Sequence, residues 1–112
     1  ILLKGRPDVD ATDENGRTAL MWACLNPDPE VVRKILGAAP DVNISDYKGR
    51  TALIWATQKG NARAVVMLLN SPVDPSVNDE YGKSALTYAT ELGNTEIVKL
   101  LKKRTAHTAR QH

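Results

Sequence analysis

The sequence predicts an all-α fold, a solenoid of stacked helix–turn–helix units with β-turn or hairpin-like tips. Three glycines, Gly16, Gly49 and Gly82, recur at intervals of 33 residues, and each stands three residues after an aspartate. Each glycine is followed by a matching six-residue block, which runs T-A-L-M-W-A, T-A-L-I-W-A and S-A-L-T-Y-A in turn. A period of this length is typical of repeat architectures, in which each repeat is one supersecondary unit.

The elements of one unit follow from its residues in order. In the second unit, Asp46 opens a turn and Gly49 supplies the positive φ that the turn requires. Thr51 then lies where a helix needs its N-cap, and Gly60 ends that helix. A second apolar stretch at helical spacing follows and ends before Pro72, which forces extended chain. Two short helices cannot bury their own apolar faces, so we expect neighbouring units to stack.

This pattern resembles the ankyrin repeat, whose signature D-x-x-G-x-T-P-L-H-x-A is followed by a glycine break and then by I-V-x-x-L-L. Residues Asp13–Ala23, Asp46–Ala56 and Asp79–Ala89 fit the first motif, and Asn94–Leu101 fits the second. The resemblance implies an ankyrin-repeat domain that covers nearly the whole chain. Its expected parts are the end of an upstream repeat at residues 1–12 and three full repeats at Asp13–Ser45, Asp46–Asn78 and Asp79–Arg104, which make up a domain over residues 1–104.

The two ends of the chain differ from the repeats. Residues Ile1–Leu3 align with the close of a second helix, so we expect a monomeric fragment of a larger protein. Lys102 and Lys103 give the third unit the polar outer face that a terminal repeat needs. Residues 105–112 show no apolar period, and we expect them to form a polar, frayed tail.

The sequence also departs from the family pattern. Alanine replaces the proline of the signature in all three units, and Met21, Ile54 and Thr87 replace its histidine. The hydrogen bonds that this histidine makes between neighbouring turns are therefore not expected here. Pro27 stands at the glycine position of the first unit, so Asn26–Pro29 is expected to form a distinct loop.

Composition and charge restrict the possible functions. Apolar residues make up 42% and charged residues 25%, which is ordinary for a soluble domain. The net charge of +2 is too small to indicate nucleic-acid binding by itself. No apolar run approaches the ~18 residues of a membrane span, so no membrane partner is expected. A single cysteine excludes a disulfide framework and a multi-thiolate zinc site, and we expect neither metal nor cofactor.

Catalysis is not expected. Both histidines, His107 and His112, fall in the tail, so a Ser–His or Cys–His pair has no scaffold. Cys24 takes a small-residue position after the first block and is expected to be a buried structural thiol. An unpaired thiol favours a reducing, intracellular location, either cytoplasmic or nuclear.

The resemblance implies that turn tips and first helices line a concave face that contacts partner proteins. Trp22, Trp55 and Tyr88 occupy one equivalent position, while Tyr47 and Tyr81 lie at turn tips, so all aromatic residues fall in the first halves of the units. The candidate partner-binding residues on this face are Trp22, Trp55, Tyr88, Tyr47, Tyr81, Arg17, Arg50, Lys83, Lys48, Gln58, Lys59, Leu25 and Glu91.

Two interpretations of the aromatic position remain open. Trp55 follows Leu53 by two residues, which is a rotation of about 200° around a helix, so the ring should face away from the core and line the groove. A helix between two layers can also half-bury both faces, which would make the aromatic residues mostly core. The basic residues Arg17, Arg50 and Lys83 are either a binding column or a solvated rim.

On the groove interpretation, the chain is a non-catalytic protein–protein interaction module. Some ankyrin domains that it resembles in having Trp or Tyr at this position bind P-x-L-P-x-[IL] peptides, which implies an extended, proline-containing partner. Proline-rich segments dock well on aromatic surfaces, and the basic column would favour acidic residues. Trp55→Ala is then expected to weaken binding by about 2 kcal/mol or more, with less effect on folding.

Three other functions remain as alternatives. A methyl-lysine peptide reader would use Trp22 and Trp55 with Glu14 or Glu91 through cation–π contact, although the neighbouring arginines would repel a cation. A structural spacer within a longer array would need no binding groove. Basic residues near the end of the chain could contact nucleic acid, but favourable charge at a helix C-terminus explains them more simply. These basic residues are Lys99, Lys102, Lys103, Arg104 and Arg110.

Overall fold

The computed structural model describes residues 9–110, in which helices follow one another in pairs. The pairs are α1 (Ala19–Ala23) with α2 (Pro29–Leu36), α3 (Ala52–Lys59) with α4 (Ala62–Leu69), and α5 (Ala85–Leu92) with α6 (Thr95–Arg110). The first helices of the pairs pack against one another in chain order, and so do the second helices, which gives an inner and an outer layer. The predicted all-α solenoid is confirmed.

The inner helices begin where the sequence predicts a cap. The hydroxyls of Thr18, Thr51 and Ser84 each accept a hydrogen bond from the backbone N–H three residues on. The second and third inner helices end at Gly60 and Gly93, both with left-handed backbone. Caps at both ends explain how helices of eight residues are held at fixed positions in the stack.

Successive turn tips are joined by backbone hydrogen bonds. The Tyr47 N–H donates to the Asn15 carbonyl at 3.1 Å, and the Glu80 N–H donates to the Lys48 carbonyl at 2.8 Å. These bonds join neighbouring turns in a chain that lacks the histidine of the family signature. Since they involve only the main chain, they do not depend on the side chains of the tips.

The core lies between the two helix layers and is made of aliphatic side chains. Leu20 and Leu53 of the inner layer are fully buried, as are Val65, Leu68 and Ile97 of the outer layer. None of the aromatic residues belongs to this buried set. Repeat stacking therefore excludes water mainly with Leu, Val, Ile and Ala, together with Met21, Cys24 and Thr57.

The first repeat has a distinct loop, as Pro27 predicts, but its bounds differ from those expected. Helix α1 ends at Ala23, and Pro29 already forms the first turn of α2, where its fixed φ is suited to a helix start. The loop is anchored by the next repeat, because the Asn61 side-chain amide donates to the carbonyl oxygens of Cys24 and Asn26 at 3.0 and 3.1 Å.

The expectation of a frayed tail from residue 105 is wrong for residues 105–110. Helix α6 continues through Arg110. The residues after Leu101 include Lys, Arg and Ala, which are strong helix formers, and no Gly or Pro interrupts them. Residues 111–112, and the part of the upstream repeat expected at residues 1–8, lie outside the described residues.

Candidate functional site

An aspartate, a basic residue and an aromatic residue form one cluster in each repeat, which we call the Asp–basic–aromatic cluster. In the second repeat its members are Asp46, Arg50 and Trp55. One carboxylate oxygen of Asp46 accepts the backbone N–H groups of Lys48 and Arg50 at 2.9 and 2.8 Å. The other oxygen accepts Nε–H of Arg50 at 3.0 Å and Nε1–H of Trp55 at 3.1 Å. The guanidinium of Arg50 lies 4.4 Å from the centroid of the Trp55 ring.

The first repeat builds the same cluster nearer to solvent. Asp13 accepts Nε–H of Arg17 at 3.1 Å and Nε1–H of Trp22 at 3.4 Å. The Arg17 guanidinium lies 4.5 Å from the centroid of the Trp22 ring. Trp22 is 49% exposed, whereas Trp55 is half-buried against the core. Trp22 therefore offers more surface to a partner and has a longer hydrogen bond to its aspartate.

In the third repeat, Tyr88 and Lys83 take the places of the tryptophan and the arginine in the cluster. The Tyr88 hydroxyl donates to the Asp79 carboxylate, and Nζ of Lys83 lies 5.5 Å from the Tyr88 ring centroid. Lys83 pairs with Glu91 at 3.0 Å instead of with the aspartate. The third cluster therefore has the same contact between ring and aspartate, but its cation forms a salt bridge with Glu91.

Hydrogen bonds in the first and third clusters favour the ionised forms of Asp13 and Asp79. Hydrogen bonds from the Arg17 and Asn15 N–H groups and the Arg17 charge hold the pKa of Asp13 below its usual value, against partial burial. Burial raises the pKa of Asp79, but hydrogen bonds from Tyr88, Lys83 and Tyr81 outweigh it, so its pKa is lowered. The same bond to Asp79, with burial, raises the pKa of Tyr88 to about 12. Both aspartates therefore act as fixed anions that orient the ring and the cation.

These contacts give the aromatic position a place between the two interpretations. The rings are neither free in the groove nor fully in the core: one edge is hydrogen-bonded to the turn, and a cation lies over the ring. The sequence predicts separate columns of aromatic and basic residues. It indicates only a turn-forming role for Asp13, Asp46 and Asp79. Their link was missed, although an aspartate recurs nine residues before each of these aromatics.

The tyrosines of the turn tips are the most exposed aromatic residues. Tyr47 is 76% exposed and Tyr81 is 69% exposed. The Tyr47 ring covers Gly16 of the preceding turn so closely that an added Cβ there would lie 2.6 Å from the ring. A cavity of about 210 Å³ lies beside it and is lined by Asn15, Arg17, Asp46, Tyr47, Lys48 and Arg50.

The remaining candidate residues lie at the opposite ends of the inner helices. Leu25 and Lys59 line a larger cavity of about 600 Å³, together with the loop residue Pro27 and with Arg63 and Glu96 of the outer helices. Gln58 is exposed and lines neither of the two cavities. The predicted surface therefore divides into a cluster-and-tip region and a separate cavity at the helix–helix loops.

A comparison with family models identifies the fold independently. A model of ankyrin repeats, three copies long, matches the chain over residues 1–79 and again over 26–112. The chain belongs to the ankyrin-repeat family. Ankyrin repeats are generally protein–protein interaction modules and are typically non-catalytic. No curated protein matches this ankyrin-repeat chain. Across the residues described, none of its helices has the length and apolar character needed to cross a membrane.

The metal-ligating residue types and the single cysteine of this ankyrin-repeat domain can be placed in the structure. No group of His, Cys, Asp and Glu among the side chains described, residues 9–103, is arranged to hold a metal ion. Cys24 is fully buried, and burial raises the pKa of its thiol to about 12. The structure thus gives Cys24 the buried position that the sequence predicts.

The burial of Cys24 predicts its reactivity. Because the reactive thiolate is disfavoured and the sulfur is inaccessible, the native ankyrin-repeat domain should resist alkylation by iodoacetamide at pH 8. In urea the thiol should react at the rate of a free cysteine. Mass spectrometry of quenched samples measures both rates. Rapid modification of the native domain, at a rate close to that in urea, would contradict the assigned burial.

Proposed function

We propose that this ankyrin-repeat domain is a non-catalytic recognition module that binds an extended peptide, or an extended segment of a partner protein, along its concave face. The observation that carries the proposal is the recurrence of the Asp–basic–aromatic cluster in three successive repeats. Hydrogen bonds and cation–π contacts fix each ring before a partner arrives. Fixed side chains lose little entropy on binding, so the surface is preorganised.

The chemistry of the face favours an acidic partner that contains proline. An extended segment buries area against aromatic surfaces without the cost of ordering a flexible chain, and proline enforces that conformation. Lys48 supplies positive charge along the path, and the aspartate-paired cluster arginines, Arg17 and Arg50, lie beside it. Positive charge on the face favours acidic residues in the partner and selects against basic ones.

The cation–π contacts also weigh against a methyl-lysine reader. A methylated ammonium would need a ring face, but in each cluster a guanidinium or ammonium group already lies over the ring. In the first two clusters, the aspartate that could neutralise a ligand cation is paired with arginine. A spacer function would not require three preorganised clusters, so peptide recognition is the better explanation.

Selection from a displayed library of random twelve-residue peptides tests the proposal. We expect enriched peptides that are acidic and contain proline, and that compete with one another for a single site. A panel of trimethyl-lysine peptides serves as the second arm. Binding to that panel alone would favour the reader function, and no binding in either arm would contradict peptide recognition.

Trp22→Ala should weaken binding of a selected peptide about tenfold or more, because rigid exposed aromatics are frequent hot spots. Trp55 is a less clean target than the sequence indicated, since its indole bonds to Asp46 and packs on the core, so Trp55→Ala should also destabilise the fold. Isothermal titration calorimetry measures the change. Val66→Ala, on the exposed face of α4, is the matched control and should leave affinity unchanged. Equal effects of the two substitutions would refute the aromatic contact.

We also propose that the domain acts inside the cell, where a reducing environment keeps Cys24 as the free thiol found in the structure.

A further inference from the structure

The small cavity between the first two turn tips has the features of an anion site. Its volume of about 210 Å³ is enclosed by side chains from both repeats, among them Arg17 from the first and Lys48 and Arg50 from the second. We call this cavity the tip pocket. The only carboxylate in its lining is that of Asp46, whose side chain is 1% exposed and already accepts four hydrogen bonds.

The charge balance of the tip pocket decides the kind of anion. Arg17 is paired with Asp13, and Arg50 is paired with Asp46, so those charges cancel. Lys48 makes no ion pair within the described part of the chain, which leaves one positive charge. A single excess charge matches a carboxylate better than a doubly charged phosphate.

The two guanidinium groups are fixed in place. Each donates to its aspartate through Nε and lies over the ring of its tryptophan, so its orientation is set by two contacts. The bonds to the aspartates leave the terminal amino groups of Arg17 and Arg50 available as donors. Planar guanidinium donors match the geometry of a carboxylate, and preset orientation reduces the entropy lost on binding.

We propose that the tip pocket receives the side-chain carboxylate of one glutamate or aspartate of the bound peptide. The terminal amino groups of Arg17 and Arg50 donate to it, and the Lys48 ammonium supplies the balancing charge. This inference rests on the proposed function, because it assigns one residue of the peptide to one position on the concave face. The third repeat offers no equivalent, since Lys83 is paired with Glu91. The acidic residue of the partner therefore lies opposite the first two repeats, which sets the register of the peptide.

A double-mutant cycle on a library-selected peptide tests the assignment. Lys48→Ala should weaken binding of the acidic peptide about fivefold, and the same substitution should change binding of its Glu→Gln variant less than about twofold. Lys48→Arg should restore the affinity. Lys99→Ala, at an exposed position of α6, is the matched control and should change neither. Equal losses for the two peptides would overturn the tip pocket while leaving peptide recognition intact.

A second measurement is independent of any selected peptide. N-acetyl-glutamate amide is titrated into the wild-type domain, and the Nε–Hε resonances of Arg17 and Arg50 are followed by NMR. We expect saturable shifts of both resonances with this probe and none with N-acetyl-glutamine amide. Identical responses to the two probes would overturn the tip pocket. A failed library selection together with a glutamate-specific response would instead contradict the proposed peptide recognition and keep the carboxylate site.

Discussion

Asp46→Ala is expected to lower the free energy of unfolding by about 3 kcal/mol. The substitution removes the acceptor of four hydrogen bonds, two from backbone N–H groups of the turn and two from the side chains of Arg50 and Trp55. The carboxylate is buried, so water cannot replace it at all four donors. Unsatisfied donors in a buried site cost about 1–3 kcal/mol each, partly recovered by relaxation. Urea denaturation followed by far-UV circular dichroism measures the loss.

Asp41→Ala provides the matched control for that experiment. Asp41, near the end of the first repeat, also accepts a backbone N–H, from Asn43 at 3.0 Å, but it is exposed. Its loss should be several times smaller than that of Asp46→Ala. Similar losses for both variants would show that the cluster around Asp46 contributes no more than an ordinary turn bond.

Gly49→Ala should lower the free energy of unfolding by about 3 kcal/mol. Its φ of 80° is strained for any residue with a Cβ, which alone costs about 1–2 kcal/mol. In addition, the new Cβ would lie 3.0 Å from Cα of Asp79 and 3.1 Å from the nitrogen of Glu80. Both are backbone atoms of the next turn, and moving them would stretch the bond that joins Glu80 to the Lys48 carbonyl.

Gly82→Ala separates the cost of the positive φ from the cost of the clash with the next turn. Gly82 has nearly the same φ, 74°, but an added Cβ meets nothing within 4 Å among the described residues. It should therefore cost only the conformational part, about 1 kcal/mol. The difference between the two variants in urea denaturation measures the close approach of successive turns. No difference between them would mean that the turns separate easily and that repeat contact depends on the helices alone.

The sequence was sufficient for the architecture because the determinants of each element are local. Glycines with positive φ and the hydroxyl caps Thr51 and Ser84 act on their own turn or helix, and they recur with the period. The absence of an apolar period after residue 104 predicts a frayed tail, but helix α6 continues through Arg110. Helix propensity without a packing face continues an existing helix, which periodicity does not register.

The sequence predicts the aromatic and basic residues of the candidate site, but neither its aspartates nor the contacts among the three. Trp55 and Arg50 were assigned to the concave face, and the structure places them together over Asp46. An aspartate that opens each turn is sufficient to explain why the residue recurs with the period. The recurrence therefore does not indicate that Asp46 also contacts Arg50 and Trp55. The sequence also does not predict relative exposure, since the equivalent positions hold an exposed Trp22 and a half-buried Trp55.

Each Asp–basic–aromatic cluster closes within one short segment, as Asp46–Trp55 does, and needs no side chain from a neighbouring repeat. Recombination that moves a whole repeat would therefore carry its aromatic contact with it, already oriented. The tip pocket behaves differently, because its arginines come from two repeats. If the proposed functions hold, shuffling repeats would conserve the aromatic contacts to a peptide and would create or remove the preference for an acidic residue at a given position. On this proposal, affinity depends on single repeats, and specificity depends on which two repeats are neighbours.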